Sequence, residues 1–146
     1  PGKGKSTIIK SILMLYHQFF KSDNFHQFLN RVILLAPTGG AAKRMTEITE
    51  IPAQTIHHFL LTKQSDSLEE DQLFIIDEMS MVDITTMSHF LEMLHKGDRV
   101  ILVGDKALLP PVKASNVFAD IIESNTFLTI ELKTVFRQQQ NQQLMI

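Results

Sequence analysis

An α/β fold, built on a mostly parallel sheet with helices on both faces, follows from three features of this 146-residue sequence. Val32–Ala36, Leu73–Ile76 and Val100–Val103 are continuous apolar runs of strand length, as strands buried on both faces require. Segments of helical periodicity lie between them, so consecutive strands are joined by crossovers. The residues with chemical potential, Gly4-Lys5-Ser6, Pro37-Thr38-Gly39, Asp77-Glu78 and Gly104-Asp105, each stand at the start of a predicted helix or at the end of an apolar run. That is the edge where open α/β sheets bind ligands.

The first seven residues, Pro1-Gly2-Lys3-Gly4-Lys5-Ser6-Thr7, read as the back half of the phosphate-binding pattern G-x-x-x-x-G-K-[ST]. Glycines let successive backbone N–H groups turn onto an oxyanion, a lysine reaches the outer phosphates and a hydroxyl binds Mg²⁺. Gly2, Lys3, Gly4, Lys5, Ser6 and Thr7 are therefore the candidate nucleotide-binding residues, with Ser6 also a candidate metal ligand. Lys3 is unusual, because a small residue is commoner before Gly4. A wide apolar stripe over Ser6–Phe20 (Ile8, Ile9, Ile12, Leu13, Leu15, Tyr16, Phe19, Phe20) predicts a largely buried helix whose N-terminal dipole favours phosphate. A glycine- and lysine-rich surface turn before an ordinary amphipathic helix has the same local signature, so the downstream sequence decides.

Lys21–Arg31 is a polar connection, and Val32–Ala36 is a strand stopped by Pro37. Thr38-Gly39-Gly40 is a glycine turn feeding a helix that Ile51-Pro52 breaks, and Thr55–Leu61 is a second, short helix. Thr62–Gln72, with Asp66, Glu69, Glu70 and Asp71, reads as a solvated loop. After the strand Leu73–Ile76, Asp83 is an N-cap for a helix in which Ile84, Met87, Phe90, Leu91 and Leu94 recur until Gly97, with His95 and Lys96 in its last turn. Val100–Val103 is the third strand. A helix over Asn116–Glu123 and a fourth strand over Phe127–Leu132 follow, before Phe136-Arg137 and a glutamine-rich tail.

Composition narrows the class of protein. Hydrophobic residues at 44% and charged residues at 21% are ordinary for a globular domain. A formal net charge of −2 argues against coating nucleic acid by bulk electrostatics, while leaving room for a local basic strip. The absence of cysteine excludes disulfides and thiolate metal sites and fits a reducing, cytoplasmic compartment. The chain opens with proline inside a motif, so it is expected to be a fragment. The strand that ordinarily leads into a phosphate loop is central to its sheet, so the fold is expected to be incomplete.

Asp77-Glu78, at the tip of an apolar strand downstream of Gly4-Lys5-Ser6, supplies what nucleotide hydrolysis needs. One carboxylate there can hold Mg²⁺ opposite the Ser6 hydroxyl, and its neighbour can orient and deprotonate water. Asp77 is assigned to the metal and Glu78 to the water. Asp105 is placed to couple the γ-phosphate to the rest of the site, and Arg137 to set a guanidinium against charge that develops during hydrolysis. His57 and His58 are adjacent and so point about 100° apart on a helix, which is not a metal-binding pair. Met79, Met81, Met87 and Met93 read as core filler.

Taken in order, these groups resemble the first motor domain of superfamily 1 DNA helicases, closest to the RecD-like branch. The resemblance is carried by PGKGKST, LAPTGGAAKRM, TIHHFL, FIIDEMSMVD, LVGDKALLPPV and LKTVFRQ, which cover nearly the whole chain. The Pif family shares an A-P-T-G element and is the nearest rival, but AAKRM and NVFADIIES look more RecD-like. The resemblance implies an incomplete RecA-like domain over residues 1–146, the first of two, with residues 138–146 leading towards the second. It also implies ATP-driven movement on single-stranded DNA in repair or recombination, as in a RecD-like exonuclease V alpha subunit, with helicase–nuclease subunits as partners and ATP and Mg²⁺ as cofactors. By the same resemblance Lys5, Ser6, Asp77 and Glu78 keep the roles argued above and Arg137 is the γ-phosphate arginine. Pro37, Thr38, Gly39, Thr55 and His57 become the strand-contacting positions. Lys43 and Arg44 are either a local attraction for the strand or a solvated helical face.

One departure matters. The family's third motif reads G-D-x-x-Q-L-P, and here Leu108 stands where the glutamine belongs. A side chain that can neither donate nor accept replaces an amide, so coupling of hydrolysis to DNA is expected to be weakened. A nucleotide-binding module with impaired hydrolysis in a larger DNA-processing complex is therefore a second reading. A small kinase is a third, but it leaves the P-T-G, T-I-H and F-R-Q elements without a task.

Overall fold

The computed structural model describes residues 3–19, 25–62, 71–105 and 116–132. In chain order its elements are α1 (Lys3–Phe19), α2 (Phe25–Asn30), β1 (Val32–Ala36), α3 (Gly39–Thr49), β2 (Ala53–Thr55), α4 (Ile56–Thr62), β3 (Leu73–Ile76), α5 (Ile84–Glu92), β4 (Arg99–Leu102) and α6 (Val117–Glu123). A 3-10 turn, Met79–Met81, follows β3. The strands form one sheet in the order β2-β1-β3-β4 with every pairing parallel.

Side chains alternate across a strand, and the apolar runs use that alternation to build two cores at once. Val32 and Leu34 of β1 and Leu73 and Ile75 of β3 pack with Ile9 and Leu13 of α1, Phe28 of α2 and Met45 of α3. Their neighbours Leu35, Phe74 and Ile76 pack on the opposite face with Ile56 and Phe59 of α4, Met87 and Phe90 of α5, and Val117 and Phe118 of α6. Both faces are covered, which is why these strands read as unbroken apolar runs. Ala36, Ala41 and Ala42 form a third small cluster, and their short side chains let α3 lie close to the sheet. Thr46 of α3 then ties helix to sheet edge, accepting the Ala53 N–H at 2.9 Å.

Five expectations are corrected. The segment read as a polar connection contains α2, whose Phe28 packs against the rings of Tyr16 and His17. The stripe on α1 is narrower than expected, since Leu15 is more than half exposed. The helix after Asp83 ends at Glu92 rather than running to Gly97, so His95 and Lys96 lie beyond it. Phe127–Leu132 forms no strand, and Phe127, Leu128, Ile130 and Leu132 are exposed. β-Propensity alone does not make a strand, and among the described residues no strand of the sheet takes this segment as a neighbour. Of the four methionines read as filler, Met79 and Met87 are buried and Met93 is half-buried, but Met81 is exposed. Residues 63–70, most of the segment read as a solvated loop, lie outside the described residues.

Two carboxylates shape the turns that set the strands. The Asp98 side chain, 1% exposed, accepts the Gln72 and His95 backbone N–H groups at 2.8 Å each, joining the start of β3 to the turn before β4. Its pull on the His95 N–H turns the chain away from α5. Asp98→Ala removes the acceptor from both N–H groups and is expected to cost about 2–4 kcal/mol. Asp98→Asn keeps one acceptor and should cost less, a difference that urea titration of the two variants resolves.

Asp83 caps α5, accepting the Thr86 N–H at 2.9 Å and the Thr86 hydroxyl at 2.8 Å. These bonds, the backbone one first, hold its carboxyl below the ordinary 3.8. A depressed value in the folded state means stability that is present above pH 3.8 and lost as pH falls through the folded value. Asp83→Ala should therefore cost about 1 kcal/mol near neutral pH. Its gap in Tm to the wild type should narrow as the pH drops below 3.8.

Candidate functional site

Register brings the chemistry-bearing residues to one edge. Ala36 is opposite Thr55, Leu35 is opposite Ile76, and Ile76 is opposite Leu102. The segments beginning at Pro37, Ile56, Asp77 and Val103 thus leave the sheet side by side at the C-terminal ends of its strands. The ladder continues a step past β3: the Asp77 N–H donates to Leu35 O at 3.0 Å, and the Met79 N–H donates to Val103 O at 3.0 Å. These bonds fix the turn that carries Asp77 and Glu78.

α1 begins at Lys3, three residues earlier than the periodicity indicated, so Gly4-Lys5-Ser6 lies in its first turn. Gly2 is outside the described residues. Lys5 is half-buried and its charge reaches Asp77. Burial pushes the Asp77 carboxyl above its ordinary 3.8; the Glu78 N–H pulls it back, the Glu78 charge pushes it up, and Lys5 and then Arg44 pull it down. The Glu78 N–H bond is direct, 2.8 Å to Asp77 Oδ1. A carboxylate held out of water at a strand tip, with a lysine in reach, is suited to a cation that also carries phosphate oxygens. Among the described residues no three carboxylates or imidazoles cluster as a metal cage.

Glu78 adopts φ 52°, ψ 41°, the left-handed region that costs a residue with a Cβ about 1–2 kcal/mol. Its carboxylate accepts from Arg44 of α3, Nη2 to Oε1 at 2.7 Å. This contact was not legible in the sequence, where Arg44 had the choice of a strand or solvent. The partners are 34 residues apart, and no local spacing reports them. Gly104 has a packing role: a Cβ there would stand 2.8 Å from the Phe118 ring, so its absence lets α6 close over the end of β4. Asp105 follows at the same edge, half-buried and engaged with its surroundings.

Of the strand-contacting candidates, Thr38 caps α3 by accepting the Ala41 N–H at 3.2 Å, and Gly39 is exposed at the helix start. Thr55 plays the same part for α4, accepting the His58 N–H at 3.1 Å. His57 is exposed in the first turn of α4, at a groove of about 540 Å³ shared with Asp83, His89 and Glu92 of the α5 segment. Pro37 is half-buried where β1 gives way to α3. Thr7 is exposed on α1. Leu108 and Arg137 lie outside the described residues. Among the described residues no helix is long and apolar enough to cross a membrane.

Parallel strands between two helical layers, with a lysine at a helix start acting on a buried aspartate at a strand tip, define a RecA-like α/β domain. The chain belongs to the AAA domain family, whose model matches residues 1–145. It is 35% identical over 144 residues to the ATP-dependent RecD2 DNA helicase of Deinococcus radiodurans, covering 94% of this chain and 19% of that protein. It is 29% identical over 164 residues to the RecBCD enzyme subunit RecD of Mycobacterium tuberculosis, covering 94% of this chain and 28% of that protein. DNA helicase B of Mus musculus is 30% identical over 121 residues, with 73% of this chain and 11% of that protein covered. The resemblance to RecD-like helicases carried by the motifs is borne out. The chain spans less than a third of the length of these relatives.

Proposed function

We propose that this domain binds ATP with Mg²⁺ and hydrolyses it as the first motor domain of a helicase that moves on single-stranded DNA. The observation that carries this reading is the convergence of Lys5, Asp77 and Glu78, from α1 and the tip of β3, at the edge where the Pro37–Gly39 turn also emerges. In this mechanism the first-turn N–H groups of α1, with Gly4 and Ser6, hold the phosphates, and Lys5 offsets their charge. Ser6 and Asp77 would hold the Mg²⁺, which when bound would supply positive charge against that of the phosphates. Glu78 orients a water in line with the γ-phosphorus and takes its proton as the water oxygen bonds to phosphorus. The bond to the bridging oxygen breaks and ADP leaves. Arg137 and Asp105 complete the site around the γ-phosphate. Pro37, Thr38, Gly39, Thr55 and His57 meet the DNA backbone through hydroxyls, backbone groups and imidazole, a mode that needs no strongly basic surface.

Names of relatives support the setting: one is a RecBCD enzyme subunit and another an ATP-dependent DNA helicase. A role in repair or recombination, residues 138–146 as the exit towards a second motor domain, helicase–nuclease partner subunits and a cytoplasmic location belong to this proposal. A Pif-like helicase is the alternative within the same chemistry. The deciding experiment is ATP turnover by the full-length protein, with and without a single-stranded oligonucleotide, beside Glu78→Gln as the blank. Turnover that rises with the strand and vanishes in the variant supports the motor. Leu108 favours the other reading, a nucleotide-binding module, which predicts ATP binding with no turnover in either protein.

A further inference from the structure

We propose that the groove between α4 and α5 is a docking site for a partner protein, and that it takes a helix presenting leucine-sized apolar side chains beside lysine or arginine. The site stands apart from the ATPase reading above.

The groove is lined by regular faces of two helices. His57, Leu60 and Leu61 recur at i, i+3 and i+4 on α4, and Thr85, His89 and Glu92 recur at i, i+4 and i+7 on α5. Seven residues of helix rise about 10 Å, so the trough is long enough for about two turns of a third helix. Its apolar part is unspent. Ile56 and Phe59 make the contact of α4 with the core, which leaves Leu61 85% exposed, more than any large apolar side chain among the described residues except Leu128. Leu60 and Met93 are half-buried in the same groove. Covering these three side chains removes apolar surface from water, and an unbranched methionine adapts to the shape that docks. A helix laid between two helices meets them through side chains at the same i, i+3, i+4 spacing. Charge then selects the occupant. With the histidines neutral, the groove carries two charges, Asp83 and Glu92, and both are negative. The bonds from Thr86 keep the Asp83 carboxyl low, so it stays ionised at neutral pH. Among the described residues neither carboxylate is paired with a lysine or arginine. Two uncompensated carboxylates beside exposed leucine repel a polyanion such as a nucleic-acid strand and favour a basic, apolar helix.

The test uses the full-length protein and two probes: a fluorescent model helix of leucine and lysine, and its counterpart of leucine and glutamate. Anisotropy is expected to show binding of the lysine helix and none of the glutamate helix. Glu92→Lys should weaken that binding about fivefold, and Glu92→Gln, which only removes the charge, should fall between. Leu61→Ser should weaken it about tenfold. Both side chains are exposed and neither belongs to the nucleotide site, so Tm and ATP turnover should stay at wild type. Leu61→Cys, labelled with N-ethylmaleimide and read at that position by peptide mass, should react as an exposed thiol and be protected by the lysine helix. Equal binding of the two helices, or binding unchanged in Glu92→Lys, Glu92→Gln and Leu61→Ser, overturns the proposal. Protection of Leu61→Cys in the dilute protein alone would mean that its own chain fills the groove. Protection that grows with protein concentration would mean a second copy, and protection by a thymidine oligonucleotide would mean the strand. Each of these three results overturns the partner-protein assignment and leaves the ATPase reading standing.

Discussion

Glu78→Gln is expected to lower strand-stimulated ATP turnover by about 10²–10⁴-fold while ATP affinity stays close to wild type. Glutamine has the same shape and keeps an acceptor oxygen for the Arg44 guanidinium, so neither the left-handed turn nor the packing of β3 has reason to change. What it loses is the ability to take a proton from water. Lys5 and Asp77, to which the proposed mechanism assigns the phosphates and the metal, are untouched, so the loss should appear in kcat rather than in KM. Fluorescent-nucleotide binding beside phosphate release separates the two. Turnover of the variant close to wild type would remove Glu78 from the role of base. Weakened nucleotide binding with kcat preserved would point to a positioning role for its charge.

How much of this site could be read from the residues depends on the range of the contacts that build it. β1 and β3 are buried on both faces, and such burial writes itself into the sequence as uninterrupted apolar runs, so these strands and the Asp77-Glu78 tip were legible. The caps at Asp83 and Asn116 are local hydrogen-bonding patterns and were legible for the same reason, although only Asp83 was named as a cap. β2 was missed. It has three residues, it follows Pro52, and it exists because Ala53, Gln54 and Thr55 pair with β1 across the whole of α3. Phe127–Leu132 shows the converse: its composition suits a strand, but a strand needs a neighbour. α5 ends early because the Asp98 side chain, beyond the apolar periodicity, takes the His95 N–H. Gly104 looked like part of a chemical motif, and the Phe118 ring gives it a packing reason that no spacing rule contains. The Arg44–Glu78 contact is the most distant of these, 34 residues apart in the chain.

Phe74→Ala is expected to cost about 3–5 kcal/mol, a large part of the total stability of a domain, which is about 5–15 kcal/mol. Phe74 is fully buried at the centre of an aromatic group, edge-on to Phe59 of α4 at 5.7 Å and to Phe90 of α5 at 5.3 Å between ring centroids. Phe59 and Phe90 are themselves 6.4 Å apart and equally buried. Removing the middle ring leaves a cavity that helices on two sides cannot both close, and it also removes the edge-to-face contacts. The consequence reaches the candidate site, because Phe74 is three residues before Asp77 and its ring holds α4 and α5 against the strand that carries Asp77 and Glu78. ATP turnover should therefore fall together with Tm, unlike the Glu78→Gln loss, which leaves Tm unchanged. Phe127→Ala is the matched comparison, since that ring is 64% exposed and its removal should change stability by no more than about 0.5 kcal/mol. Thermal unfolding followed by circular dichroism would decide it. Equal Tm losses in the two variants would mean that the face of the sheet carrying Phe74 is not the one that holds the site together.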